Sequence, residues 1–163
     1  MTIRLGEVLI ASGVLTEEQV SMILEQQAQQ HKPFGLLCEQ LCGISPAAIE
    51  DAWANQYASL TRTIDPTVEI FDPHAMQLVT RRQAWQFRVL PIRFDDAELM
   101  IATTQQHLRR ALRFANNVLG VPLYFVMANP DALGDALCKH YALPGMSADT
   151  ITQPHDSSLR AAG

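Results

Sequence analysis

The feature that most constrains this chain is a duplication. Sliding the sequence by 29 residues lays 4–27, RLGEVLIASGVLTEEQVSMILEQQ, over 33–56, PFGLLCEQLCGISPAAIEDAWANQ. Gly6 then meets Gly35, Leu15 meets Ile44, Thr16 meets Ser45, Val20 meets Ile49, Leu24 meets Trp53 and Gln27 meets Gln56. A repeat of this length is one supersecondary unit given twice, each copy needing its neighbour to bury an apolar face. Each copy reads as a short helix, a stop and a second helix. Gly13 is placed to close the first helix in the left-handed conformation, and Thr16 with Gln19 forms a capping box for the next. Val20, Ile23, Leu24 and Gln27 then share one stripe by the i, i+3, i+4, i+7 rule. Ser45-Pro46 supplies an N-cap and a first-turn proline in the second copy. A five-residue spacer, 28–32, is short enough to set the hairpins side by side as a four-helix unit over 1–60.

Beyond residue 60 the pattern changes to β-type runs alternating with helices, which predicts an α+β chain whose second unit, 61–142, is a small mixed α/β subdomain. Strands are expected at 68–71, 89–94, 99–103 and 121–126, the middle two joined as a hairpin across Asp95-Asp96. Helices are expected at 74–86, 107–119 and 129–141. The tail, 143–163, lacks periodicity and large apolar residues and is expected to be disordered.

Charge narrows the partners. Residues 1–60 hold Arg4 and Lys32 against seven acidic side chains, so the whole net charge of −5 lies there, which argues against DNA or RNA. Three cysteines, Cys38, Cys42 and Cys138, without a C-x-x-C spacing fit a reducing compartment. No basic leader precedes an apolar run, and no stretch of about 18 apolar residues occurs, so the expected location is the cytoplasm. Chemistry is largely excluded as well. The two lysines, Lys32 and Lys139, follow no glycine, so there is no P-loop, and neither H-E-x-x-H nor G-x-S-x-G occurs. His31, His74, His107, His140 and His155 have no metal-ligand spacing. Arg109, Arg110 and Arg113 read as the wet face of an amphipathic helix rather than an anion site. The expectation is a non-catalytic regulatory module without cofactor or metal.

One constellation remains: R-L-G at 4–6, apolar residues at Val20 and Leu24, then Gln27, with a partial echo in the second copy. Two similar hairpins present two similar surfaces, which suits a ligand with its own two-fold symmetry and two identical rings. Gly6 and Gly35 let backbone approach closely, Gln27 and Gln56 supply amide donors and acceptors, and Arg4 can fork onto a guanine edge or a phosphate. The sequence here resembles the MshEN-type N-terminal domain of type II secretion and type IV pilus assembly ATPases. That family's pattern, R-L-G-x-x-L-x-x-x-G followed by L-x-x-x-L-x-x-Q, is given twice and is associated with cyclic di-GMP. The first copy matches closely, with Val20 for a leucine, and the resemblance continues more weakly to Tyr141.

The resemblance implies a cyclic di-GMP receiver controlling a secretion, pilus or polysaccharide-export system, with a secretion ATPase or a membrane glycosyltransferase as partner, in cis or in trans. It carries ligand contacts onto Arg4, Leu5, Gly6, Val20, Leu24 and Gln27, and onto His31, Lys32, Phe34, Gly35, Ile49, Trp53 and Gln56. The second copy departs from the pattern: Pro33-Phe34 replaces a basic residue and leucine, Cys42 takes the aligned glycine position with Gly43 one step late, and Trp53 replaces a leucine. Trp53 has two readings, a ring that stacks on guanine or one that fills the groove. Likewise, Leu5, Val20, Leu24, Ile49 and Trp53 also read as plain bundle core. The alternative function is a nucleotide-free protein docking module. The chain is either a stand-alone receiver or the C-terminal piece of a longer protein.

Overall fold

The computed structural model describes residues 5–60 and 62–152, with side chains described for 6–55 and 62–151. The first hairpin comprises α1 (Leu5–Ala11) and α2 (Glu17–Gln30), and the second α3 (Phe34–Cys42) and α4 (Pro46–Leu60). Their stops and starts follow from the residues expected to make them. Gly13 closes α1 at φ +76°. The Thr16 hydroxyl accepts from the Gln19 N–H at 3.2 Å while the Gln19 side chain accepts from the Thr16 N–H at 2.9 Å. In the second copy Gly43, at φ +69°, ends α3 from one position later than the alignment puts it, and the Ser45 hydroxyl accepts from the Ala48 N–H at 3.2 Å. The spacer differs from expectation. Helix α2 runs on through Gln30 and is closed by His31 in the left-handed conformation, φ 54°, so only His31, Lys32 and Pro33 join the hairpins.

The second unit is a four-stranded sheet of β1 (Thr63–Ile64), β2 (Leu90–Asp95), β3 (Glu98–Thr103) and β4 (Leu123–Ala128), in the order β1-β4-β3-β2. β4 lies parallel to both β1 and β3, and β2 and β3 form the antiparallel hairpin, turning at Asp96 (φ 55°). β4 is buried along its whole length, as expected of a strand flanked on both sides and covered by helices.

Three expectations are corrected. Residues 68–71 form no strand. The Asp65 carboxylate accepts from the Thr67 N–H at 3.0 Å, a local turn that takes the chain off the sheet and leaves Val68 and Ile70 76% and 82% exposed. The short parallel strand is Thr63–Ile64 instead, paired with Met127 and Ala128. The single helix expected over 74–86 is two, α5 (Pro73–Met76) and α6 (Arg81–Phe87), because Thr80 and Gln83 form a second capping box that restarts the helix. Of the tail, 143–152 lie within the described residues and carry local structure, and 153–163 lie outside them. A 3-10 turn at Ala148–Thr152 packs on α8 (Pro130–His140), with Ile151 fully buried. It fits because Gly134 has no side chain: a Cβ there would stand 2.7 Å from the Ala148 backbone.

The units meet through α7 (Leu108–Asn117), which follows a 3-10 turn at Gln105–His107 and connects β3 to β4. It packs on α3, α4 and α6, and one continuous apolar core runs from Leu9 and Ile23 through Ile49 and Trp53 to Phe114 and Phe125. Arg109, Arg110 and Arg113 lie on the exposed face of this helix, as expected, and from there reach its neighbours. Arg113 meets the buried Glu50 at 3.1 Å, Arg109 meets Asp51 at 2.7 Å, and Arg110 donates to the Gln86 carbonyl at 3.1 Å. The acidic bias of the first unit is thus partly answered by α7.

Candidate functional site

The first copy opens onto a pocket of about 210 Å³. Its floor is the stripe expected from the sequence: Gly6 on α1, and Val20, Leu24 and Gln27 on α2. Phe34 and Trp53 of the second copy give an aromatic wall, their ring centroids 5.8 Å apart. The far side comes from the α/β unit, through Glu98 at the start of β3, Ala115 on α7 and the 121–123 segment entering β4. Glu7 and Ile10 complete the lining.

Gln27 is the distinctive polar group. It is 1% exposed, and its Nε2 donates to the Lys32 carbonyl at 3.1 Å, while its Oε1 is buried without a hydrogen-bond partner. The amide cannot be turned round, because the Lys32 carbonyl only accepts and must face the NH₂. The turn that ends α2 therefore sets the orientation of Gln27: His31 in the left-handed conformation brings Lys32 back over the last helical turn. A buried acceptor left unpaired carries a cost of about 1–3 kcal/mol, which a ligand donor would remove. Among the described residues the ionisable groups of the lining are Glu7 and Glu98, both acidic. Such a pocket can accept hydrogen bonds from a flat, apolar-faced ring.

Of the residues to which the resemblance carries ligand contacts, the pocket gathers Gly6, Val20, Leu24, Gln27, Phe34 and Trp53. It does not gather Gly35, Ile49, His31 or Lys32. Gly35 is buried against α7, where a Cβ would stand 2.6 Å from Asn116 Oδ1, and Ile49 is fully buried in the core. His31 and Lys32 act through their backbone. The His31 carbonyl lies so close to Gly120 that a Cβ there would stand 1.9 Å away, and the Lys32 carbonyl holds Gln27. Arg4, and the side chains of Leu5 and Gln56, lie outside the described residues. Glu98, Ala115 and the 121–123 segment were not legible as site residues, because only the packing of α7 and β4 against the hairpins brings them there.

Elsewhere the titratable groups have structural settings. His107, buried by the start of α7, shares a 2.7 Å hydrogen bond between its Nδ1 and Thr104 Oγ1. Burial, with the nearby Arg88 and Arg110 charges, pushes its pKa down to about 4. Cys38, Cys42 and Cys138 are free thiols, and burial raises Cys38 to about 11, far from the range of a reactive thiolate. Among the described residues no group of three His, Cys, Asp or Glu side chains is placed to hold a metal, and no helix is long and apolar enough to cross a membrane.

The family model described as the MshEN domain matches residues 61–147, more than half of the chain. This chain belongs to the MshEN family. The match lies on the α/β unit of this MshEN chain and runs into the C-terminal tail as far as residue 147; the duplicated hairpins, where the R-L-G…Q pattern lies, precede it. A solved structure described as that of MshE with cdg is 24% identical, with 85% of this chain and 99% of that chain covered and a TM-score of 0.45. No curated protein sequence matches this MshEN chain.

Proposed function

We propose that this MshEN chain is a cyclic di-GMP receiver, and that its guanine site is the pocket of the first hairpin copy. The observation that carries the reading is Gln27: a buried amide oxygen without a partner, on the floor of an apolar and aromatic pocket. Guanine presents N1–H and N2–H donors side by side, which match this acceptor, and Glu98 brings a further acceptor to the same small space. Adenine presents a ring acceptor at that position and is disfavoured. Leu24 and Val20 offer faces for the ring, backed by the buried Trp53, and Arg4, two residues before Gly6 in sequence, is proposed as the cation for a phosphate. The receiver reports to a secretion, pilus or polysaccharide-export partner, an ATPase or a membrane glycosyltransferase.

Calorimetric titration with cyclic di-GMP, with cyclic di-AMP and GTP as controls, tests this. Saturable binding of cyclic di-GMP that weakens about tenfold or more in Gln27→Ala is expected, as for a lost buried hydrogen bond. Unchanged affinity in a folded Gln27→Ala variant would remove the pocket from consideration.

The exposure of Val68 and Ile70 on the α/β unit favours a second reading, a docking module that needs no nucleotide. It predicts that a Val68→Asp, Ile70→Asp variant loses the partner while Gln27→Ala keeps it.

A further inference from the structure

The two hairpin copies do not offer two equal half-sites. In the first, Gly6 and Gln27 face the pocket. In the second, the matching glycine is taken up by α7. Asn116 is fully buried over Gly35, its Nδ2 donating to the Pro46 carbonyl at 3.1 Å, and a Cβ on Gly35 would stand 2.6 Å from its Oδ1. The Arg113–Glu50 pair at 3.1 Å holds the same helix down on α4. What the second copy gives the pocket is a wall, Phe34 and Trp53, rather than a second cradle. The volume agrees: about 210 Å³ falls below the roughly 300–1,000 Å³ of sites that enclose a drug-sized ligand, and suits one bicyclic base.

From this we infer that the site reads a single guanine, and that the other half of a symmetric dinucleotide is bound outside the pocket and not distinguished. The inference rests on the guanine reading above and deepens it: the ligand class is a dinucleotide with at least one accessible guanine, cyclic or linear, rather than a two-fold messenger as such.

The decisive probe is 3′,3′-cyclic GMP–AMP, which has one guanine and one adenine on the same ring of phosphates. A one-base site loses only the statistical choice between two equivalent guanines, so this ligand is expected to bind about twofold more weakly than cyclic di-GMP. Linear pGpG is expected within about tenfold, and cyclic di-AMP is expected not to saturate. Gln27→Ala weakens both guanine-bearing cyclic ligands by the same factor, because the same base is read in each. Cyclic GMP–AMP binding more than about tenfold below cyclic di-GMP would overturn the one-base inference and leave the receiver reading standing. No binding of cyclic di-GMP at all would overturn the receiver reading, and this inference with it.

Discussion

The two copies of the hairpin start from nearly the same arrangement and end in different employment. In the first copy Gly6, Val20, Leu24 and Gln27 line a pocket, and the amide at the end of the stripe keeps an unused acceptor. In the second copy Gly35 lies under Asn116 and Ile49 is fully buried away from the pocket, while Trp53, itself fully buried, only closes a wall of the first copy's pocket. The difference comes from α7, which lies on α3 and α4. A duplicated surface gives two sites only if both copies stay uncovered. Here one copy has become the means of attaching the second unit.

The largest expected effect separates the copies by stability. Trp53→Ala removes a fully buried ring and is expected to cost about 3–5 kcal/mol. Its counterpart Leu24→Ala, half-buried at the pocket, is expected to cost about 1–2 kcal/mol. Urea unfolding checks both, and equal losses would erase the distinction.

Next come the two glycines. Gly35→Ala sets a methyl 2.6 Å from the Asn116 amide, and Gly6→Ala one 2.7 Å from Val20 Cγ1. Overpacking, less the better helix propensity of alanine, leaves a net loss of about 1–2 kcal/mol in each. A double-mutant cycle tells them apart: Asn116→Ala is expected to recover part of the Gly35→Ala loss, with a coupling of about 1 kcal/mol, and none of the Gly6→Ala loss.

The ion pairs that hold α7 are unequal in the same way. Glu50 has only 7% of its side chain exposed and loses its partner in Arg113→Ala, which is expected to cost about 1–2 kcal/mol, the exposed arginine reducing the penalty for a fully buried pair. Arg109 and Asp51 are both well exposed, and Arg109→Ala is expected to cost at most about 1 kcal/mol.

The last effect is a pH dependence confined to the acid side. His107 near the start of α7 has a folded pKa of about 4 against an ordinary 6.5. As pH falls the unfolded chain takes up the proton first, so the stability this residue contributes is full above about 6.5 and is lost toward about 4. His107→Gln is expected to make the acid limb of the stability–pH curve shallower, as measured by thermal melts between those limits.

Much of the fold was legible because its punctuation is local. Gly13, Thr16 with Gln19, and Ser45 act within four residues of where they sit, and the β2–β3 hairpin turns where Asp95-Asp96 marks it. What was not legible depended on distant partners. Val68 and Ile70 have β-type side chains, but the turn at Asp65 takes them off the sheet. Ile151 looks like part of a polar tail until Gly134 admits the Ala148–Thr152 turn. The site divides along the same line. Its floor follows from one helical stripe, whereas Glu98 and Ala115 reach it only through the docking of the second unit, and the covering of Gly35 by Asn116 has no signature near either residue.

The most direct test of the difference between the copies is an amide ¹⁵N–¹H titration of the chain with cyclic di-GMP. The account predicts saturable shifts at Gly6, Val20, Leu24 and the Gln27 side-chain NH₂, and at Glu98 across the pocket, with Gly35 and Asn116 unmoved. Shifts of equal size at Gly6 and Gly35 would contradict it, because the ligand would then be reading both copies.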